Sequence, residues 1–286
     1  MNIDRLHPGY TTTDIALFEE IIQLSRKGSS SVLAIVVESS GSSPRKVSAK
    51  MLVRDDGSIM GTVGGGRLEQ EVIAAALITV KDGKPRIISF ELTEQFGHVC
   101  GGSMLVYLEP NKVESRLVII GAGHVGVALA ALARFAGYHV TVIDERKEYA
   151  SPALLPDANE IVAAPPAEAL SRIDVNAATS IVIATPGFEQ DFDAVRSALK
   201  TSAGYIALIG SKRKKGVLAE TLAREGFGAD EIARVIIPAG LAIKAETPQE
   251  IAVSIIAQLI GQRRGNGAQG IGNTACGGCV TPDGNL

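Results

Sequence analysis

Disulfide capacity is the first thing the sequence lacks. Its 286 residues include three cysteines, too few for a disulfide framework, which points to a reducing cytosol. Charge of one sign is lacking too. Lys and Arg number 28 against 31 Asp and Glu, a net −3, so no global field draws nucleic acid or an anionic membrane. No apolar run approaches the roughly 18 residues that a membrane span needs. The opening Met-Asn-Ile-Asp-Arg-Leu-His-Pro lacks the basic-then-apolar layout of a signal peptide. Aromatics are scarce: 5 Tyr, 7 Phe and no Trp. These absences exclude secreted, fibrous and membrane-spanning classes. The expectation is a cytoplasmic protein with no nucleic-acid and no membrane partner.

What is present is an ordinary share of apolar residues, 46%, and 31 glycines, which suit tight strand-to-helix turns. The length suggests about two domains by the usual domain size. Residues 12–28 show helical spacing at Ile15, Phe18 and Ile22, stopped by Gly28. Ser31–Glu38 reads as a buried strand, and Asp55-Asp56-Gly57 joins two short strands in a hairpin. After Gly64-Gly65-Gly66 a helix follows with Leu68, Val72, Ala75 and Ala76 on one face. Strands near 86–92 and 104–109 complete a small α+β domain. From Arg116 apolar strand runs recur at 117–121, 139–144, 160–164, 180–185, 205–210 and 234–238, most followed by helical stretches. That rhythm argues for a doubly wound parallel sheet. A last helix is marked by Thr247 as N-cap, Pro248 and Glu250. The fold class is α/β, with an N-terminal domain at 1–112, a Rossmann-like domain at 113–264 and a Gly-rich tail at 265–286.

The clearest motif is Gly121-Ala-Gly123-His124-Val-Gly126 between a strand and an apolar helix, with Asp144 at the end of the next strand. That context suits a dinucleotide or phosphate turn, because glycine lets the backbone approach a phosphate and the helix N-terminus offers free N–H groups. The acid would take a ribose hydroxyl, or Arg146 would meet a phosphate. Close strand–helix packing alone would also explain the glycines. Thr185-Pro-Gly-Phe-Glu-Gln-Asp191 should face this turn across the topological switch of the sheet. Gly210-Ser211-Lys212-Arg213-Lys-Lys215 opens a helix, where cations oppose the macrodipole and suggest an anion to neutralise, unless they form a solvated face. In the first domain, Gly41-Ser-Ser-Pro-Arg45 and Gly64-Gly65-Gly66-Arg67-Leu-Glu69 resemble backbone anion cradles. Glu69 stands near the third helical position, where a carboxylate caps free N–H groups. Cys100-Gly-Gly is a loop thiol beside free amides, which favour a thiolate. Cys276-Gly-Gly-Cys279 has metal spacing, but two ligands do not close a zinc site.

Together these segments resemble the xanthine dehydrogenase accessory protein family, XdhC/CoxI, over roughly residues 12–262. Ser48 stands where that family's pattern has a glycine. The resemblance implies an α+β domain followed by a Rossmann-like domain. It implies a homodimer that binds molybdenum cofactor (molybdopterin), promotes its sulfuration by a cysteine desulfurase, and inserts it into apo xanthine dehydrogenase or a related molybdenum hydroxylase. Cys100 and Glu69 would then do chemistry, and Arg45, the glycines at 64–66 and 121–126, Arg67, His124, Asp144, Arg146, Ser211, Lys212 and Arg213 would hold the cofactor. No protein-held metal is expected. The competing expectation is an oxidoreductase that uses NAD(P) or another nucleotide. Against it, no proton-transfer dyad is evident: His124 sits at the phosphate turn and Asp191 lacks an obvious partner.

Overall fold

The computed structural model describes residues 14–41, 47–91 and 102–264. The chain divides into two units, Met1–Glu114 and Ser115–Leu286. The first contains α1 (Asp14–Lys27), β1 (Ser31–Gly41), β2 (Lys50–Arg54), β3 (Ile59–Gly61), α2 (Gly66–Asp82), β4 (Arg86–Glu91) and β5 (Gly102–Asn111). Its sheet has the order β3-β2-β1-β5-β4, with every pairing antiparallel. The β2–β3 hairpin turns at Gly57, whose φ of 82° a side chain would resist. Asp56 fixes that turn by accepting the Ser58 N–H at 2.8 Å. Ser48 also adopts a left-handed conformation, with φ at 77°, so a glycine there would relieve strain.

Helix α2 buries Leu68, Val72 and Ala76 against Val32, Ala34, Met51 and Val106 of the sheet, each large side chain contributing roughly 1.5–3 kcal/mol. Helix α1 differs from expectation. Its Ile15, Phe18 and Ile22 face solvent, while Leu17 is buried. Two ion pairs explain the rotation: Asp14 meets Lys50 at 2.6 Å and Glu20 meets Arg54 at 2.9 Å. They tie the Asp14–Leu17–Glu20 face to β2, so charge pairing decides which stripe turns inward.

The second unit contains β6 (Arg116–Ile120), α3 (His124–Phe135), β7 (His139–Ile143), β8 (Glu160–Val162), α4 (Pro166–Arg172), β9 (Thr179–Ile183) and α5 (Phe188–Leu199). It continues with β10 (Tyr205–Leu208), α6 (Lys212–Arg224), α7 (Ala229–Ala233), β11 (Val235–Ile236) and α8 (Pro248–Arg263). The parallel sheet runs β11-β10-β9-β6-β7-β8, so the chain reverses direction of growth between β6 and β9. This is the Rossmann order, and it puts the switch point where the sequence motifs fall. Alternate residues of β6 feed two cores. Val118 and Ile120 join Phe192, Val195 and Leu222, while Leu117 and Ile119 join Leu129, Ile255 and Leu259. The last strand is shorter than expected because Pro238 has no N–H to offer a ladder. Thr247 and Glu250 form the expected capping box of α8.

Candidate functional site

Each glycine of the turn after β6 has a different physical reason. Gly121 sits at φ 113°, and a Cβ there would be driven into the carbonyl of Ala184. At Gly126 a Cβ would collide with the Gly121 carbonyl, so this glycine seats α3 on the sheet. Gly123 is the N-cap of α3 at φ −74°, a conformation open to any residue. A Cβ there would meet nothing within 4 Å among the described residues. Of these three glycines Gly123 alone faces open space among the described residues, and the adjoining His124 is exposed at the first position of α3.

Asp144 is almost fully buried beside this turn. Its Oδ2 accepts the Ala122 N–H at 2.8 Å and Arg146 Nη2 at 2.7 Å. Its Oδ1 accepts the Arg146 backbone N–H at 3.0 Å and Arg146 Nε at 2.9 Å. Burial alone would push the carboxyl up, but the Arg146 side chain and the two backbone N–H groups outweigh it and hold the pKa below the ordinary value. The Arg146 guanidinium also lies 3.8 Å from the centre of the Tyr149 ring. Asp144 is therefore a positioning residue, and the group it presents is the rigid fork of Arg146. Both oxygens of Asp144 are thus engaged within the protein, and the Arg146 guanidinium is the group that reaches the cavities.

Arg146, Thr185 and Pro186 line both of two cavities at the C-terminal ends of the strands. One, of about 360 Å³, lies over the ends of β6 and β7. The other, of about 330 Å³, includes Gly123, His124 and Tyr149. Both lie at the switch point where ligands of open α/β sheets bind.

The loop after β9 and the first turns of α5 and α6 hold a constellation that the sequence reading missed. Asp191 is 1% exposed and accepts hydrogen bonds from the Thr185 hydroxyl and from Lys214 Nζ. Part of the basic run at the start of α6 is thus neutralised from inside the protein, so that run does not by itself call for an external anion. Ser211 caps α6 by accepting the Lys214 N–H at 3.4 Å, and Arg213 is exposed. A signal was available: an acid and a lysine open the helices that follow the fourth and fifth strands, and those strands are parallel neighbours.

In the first unit, Gly64, Gly65 and Gly66 have φ of 154°, 91° and 61°. The Gly64 N–H reaches the Thr62 hydroxyl at 3.2 Å, and that hydroxyl donates to Glu69. Glu69 is thus held by Thr62 rather than capping free N–H groups as expected. The reason is register: α2 begins at Gly66, which places Glu69 fourth rather than third. Arg67 bonds Glu71 at 3.2 Å along the helix. Arg45, Cys100, Cys276 and Cys279 lie outside the described residues, as does the Lys212 side chain. Among the described residues, no His, Cys, Asp and Glu cluster could hold a metal, and no helix is long and apolar enough to cross a membrane.

Comparison with known proteins agrees with this architecture. Residues 117–259 match the model of the XdhC Rossmann domain, and residues 24–91 match that of the XdhC and CoxI family. The protein YqeB of Escherichia coli (strain K12) is 35% identical over 249 residues, covering 85% of this chain and 46% of its own length. A Bacillus subtilis (strain 168) protein described as a probable xanthine dehydrogenase subunit is 32% identical over 56% of this chain and 46% of its own length. This chain therefore spans about half the length of those two relatives. The molybdenum cofactor insertion chaperone PaoD of Escherichia coli (strain K12) is 22% identical over 85% of this chain and 86% of its own. A solved structure described as a xanthine dehydrogenase from Bacillus halodurans aligns with a TM-score of 0.49 at 23% identity, covering 90% of this chain and 97% of that one. With a Rossmann unit after a small antiparallel α+β unit, and family models matching both, the chain belongs to the XdhC and CoxI family.

Proposed function

We propose that this protein binds molybdenum cofactor and passes it to a molybdenum hydroxylase of the xanthine dehydrogenase type. The observation that carries the proposal is the receptor at the switch point: an open backbone turn at Gly123 with the pre-set Arg146 fork beside it. Molybdenum cofactor carries a phosphate, or a pyrophosphate and nucleoside, and both suit a glycine turn at a helix N-terminus with an arginine alongside. The similarity to PaoD, which extends over most of both chains, supports the same cargo. On this reading Cys100 handles sulfur when a cysteine desulfurase sulfurates the cargo, Glu69 orders the glycine loop before α2, and the working form is a homodimer.

A nicotinamide-dependent oxidoreductase is the competing reading, and the Rossmann strand order with Asp144 favours it. Against it stands the state of Asp144, whose two oxygens already accept four hydrogen bonds. The acid that would take a ribose diol is committed elsewhere. The test is the ligand content of protein purified from a host that makes molybdenum cofactor. Bound pterin, read by fluorescence after oxidation, supports the carrier; bound nicotinamide without pterin overturns it.

A further inference from the structure

A groove of about 640 Å³ runs along the outer side of α3, lined by Val127, Ala128, Ala131 and Leu132 together with Leu154 and, from α8, Val253. Phe135 continues the stripe of Ala128 and Ala131 by helical spacing and is 92% exposed. Helix α8 packs along α3, and its Val253, Ala257 and Ile260 share one stripe, with Val253 49% exposed. An ordinary surface helix turns a polar face outward. These two turn apolar side chains outward over a joint surface, which marks an interface. The charges at its ends select the occupant. His124 and Gln249 both line the groove, so α3 and α8 start at the same end. That end carries Glu148, Glu246 and Glu250 against Lys147 and Lys244, whereas the last turns carry Arg134 and Arg263 with Arg264 beyond, and no acid. A second copy turned end for end sets basic ends on acidic ones and opposes the helix macrodipoles; the parallel arrangement sets arginine on arginine.

We infer that two copies of the chain meet on this face. Helices α3 and α8 of one copy lie antiparallel across those of the other about a two-fold axis near Ala131, and Phe135 of each copy fills the groove of the other. The small side chains of Ala128 and Ala131 let the helices approach closely, while Phe135 supplies the large buried anchor of such an interface. Helices of 12 and 16 residues, each about 10 Å wide, give a plan area of about 400 Å² per copy. With the wall at Leu154 and both copies counted, the contact reaches the roughly 1,000 Å² that a specific interface needs. Tyr149, whose ring lies against Arg146, borders the same groove, so the second copy abuts the ring that backs this arginine. The inference rests on the homodimer named above and on nothing about its cargo.

The test is sedimentation equilibrium of the full chain, for the wild type, Phe135→Glu, Val253→Glu and the control Ile87→Glu. Ile87 is 63% exposed on the edge strand of the first unit's sheet. All three positions are exposed, so melting temperatures should hardly move. The wild type should sediment as a dimer. Phe135→Glu and Val253→Glu should each raise its dissociation constant about thirtyfold or more, the effect of losing one interface anchor, and Ile87→Glu should leave it unchanged. A glutamate variant that dimerises as well as the wild type overturns the inference, as does a dimer broken by Ile87→Glu alone. Ala131→Cys, with the three native cysteines replaced by serine, gives a readout that does not depend on charge. Oxidation should join two chains across the axis, and a dimeric sample that yields no cross-linked pair overturns the arrangement. If a glutamate variant melts early, the cross-link decides. A wild type that stays monomeric at every concentration overturns the inference, and pterin bound to that monomer would leave the carrier function standing.

Discussion

Gly123→Val and Gly126→Ala should fail in opposite ways, and the structure says by how much. At Gly126 the added Cβ meets the carbonyl of Gly121, with its carbon 3.0 Å away. That carbonyl has little room to retreat, because Gly121 is anchored by its N–H to the Ile143 carbonyl at 2.8 Å and the Ala184 carbonyl occupies the place its own Cβ would take. Helix α3 must lift from the sheet instead. Overpacking costs about 1–3 kcal/mol, and an unyielding backbone neighbour places this substitution at the upper end. For a unit of this size, about 3 kcal/mol lowers the melting temperature by roughly 6–12 °C. Gly123→Val asks little of the fold, since its backbone conformation is permitted and its surroundings are open. The loss of a small N-cap residue costs about 0.5–1 kcal/mol. Its branched side chain would occupy the place where a phosphate meets the N–H groups of α3. Two hydrogen bonds to a charged group, at about 1.5 kcal/mol or more each, correspond to a hundredfold or greater loss of affinity. Thermal melts beside pyrophosphate and cofactor titrations read both effects. Wild-type binding by Gly123→Val would show that the glycines serve packing alone, and a wild-type melt for Gly126→Ala would refute the collision.

Three other outcomes follow from the same geometry. Lys214→Met should cost about 3–5 kcal/mol by stranding the buried carboxylate of Asp191; Asp191→Ala should cost less, because Lys214 is already 21% exposed and can hydrate. Equal denaturation midpoints for the two variants would contradict that asymmetry. The lowered pKa of Asp144 means its stabilisation is present above the unfolded-state value of about 3.9 and is lost as pH falls through the folded value. Urea midpoints between pH 5 and pH 3 should therefore fall less steeply in Asp144→Asn; an unchanged acid limb would remove Asp144 from the set of acid-sensitive groups. Cys100→Ala should reduce cofactor sulfuration, measured as activation of an apo molybdenum hydroxylase, and activation equal to wild type would end the thiolate role.

Most of the fold was legible because period and punctuation agreed. The six strand runs of the second unit, the glycine turn after the first of them and the capping box of α8 are local signals that tertiary packing reinforced. The face of α1 was not legible. Ile15, Phe18 and Ile22 satisfy helical spacing as well as Leu17 does, and the choice between them fell to Lys50 and Arg54 on a strand more than twenty residues away. Spacing within a helix carries no record of which cation its acids will meet.

The candidate site shows the same division at higher resolution. A strand, a glycine turn and an acid at the end of the next strand could be read in order, and the structure keeps all of them at the switch point. What could not be read is which of those groups still has bonding capacity. Asp144 looks like the ribose acceptor until its four donors are counted, and the basic run at α6 looks like an anion site until Asp191 is found beneath Lys214. In each case a buried carboxylate takes up a cation two or twenty-three residues away, and its charge is settled inside the protein. The consequence differs with exposure. Lys214 ends its reach at Asp191, tying the first turns of α5 and α6 together. Arg146 is held by Asp144 yet keeps one edge of its guanidinium open to the cavities. A carboxylate that is fully bonded offers nothing to a ligand directly, so what this turn can present is the arginine it holds and the open backbone at Gly123.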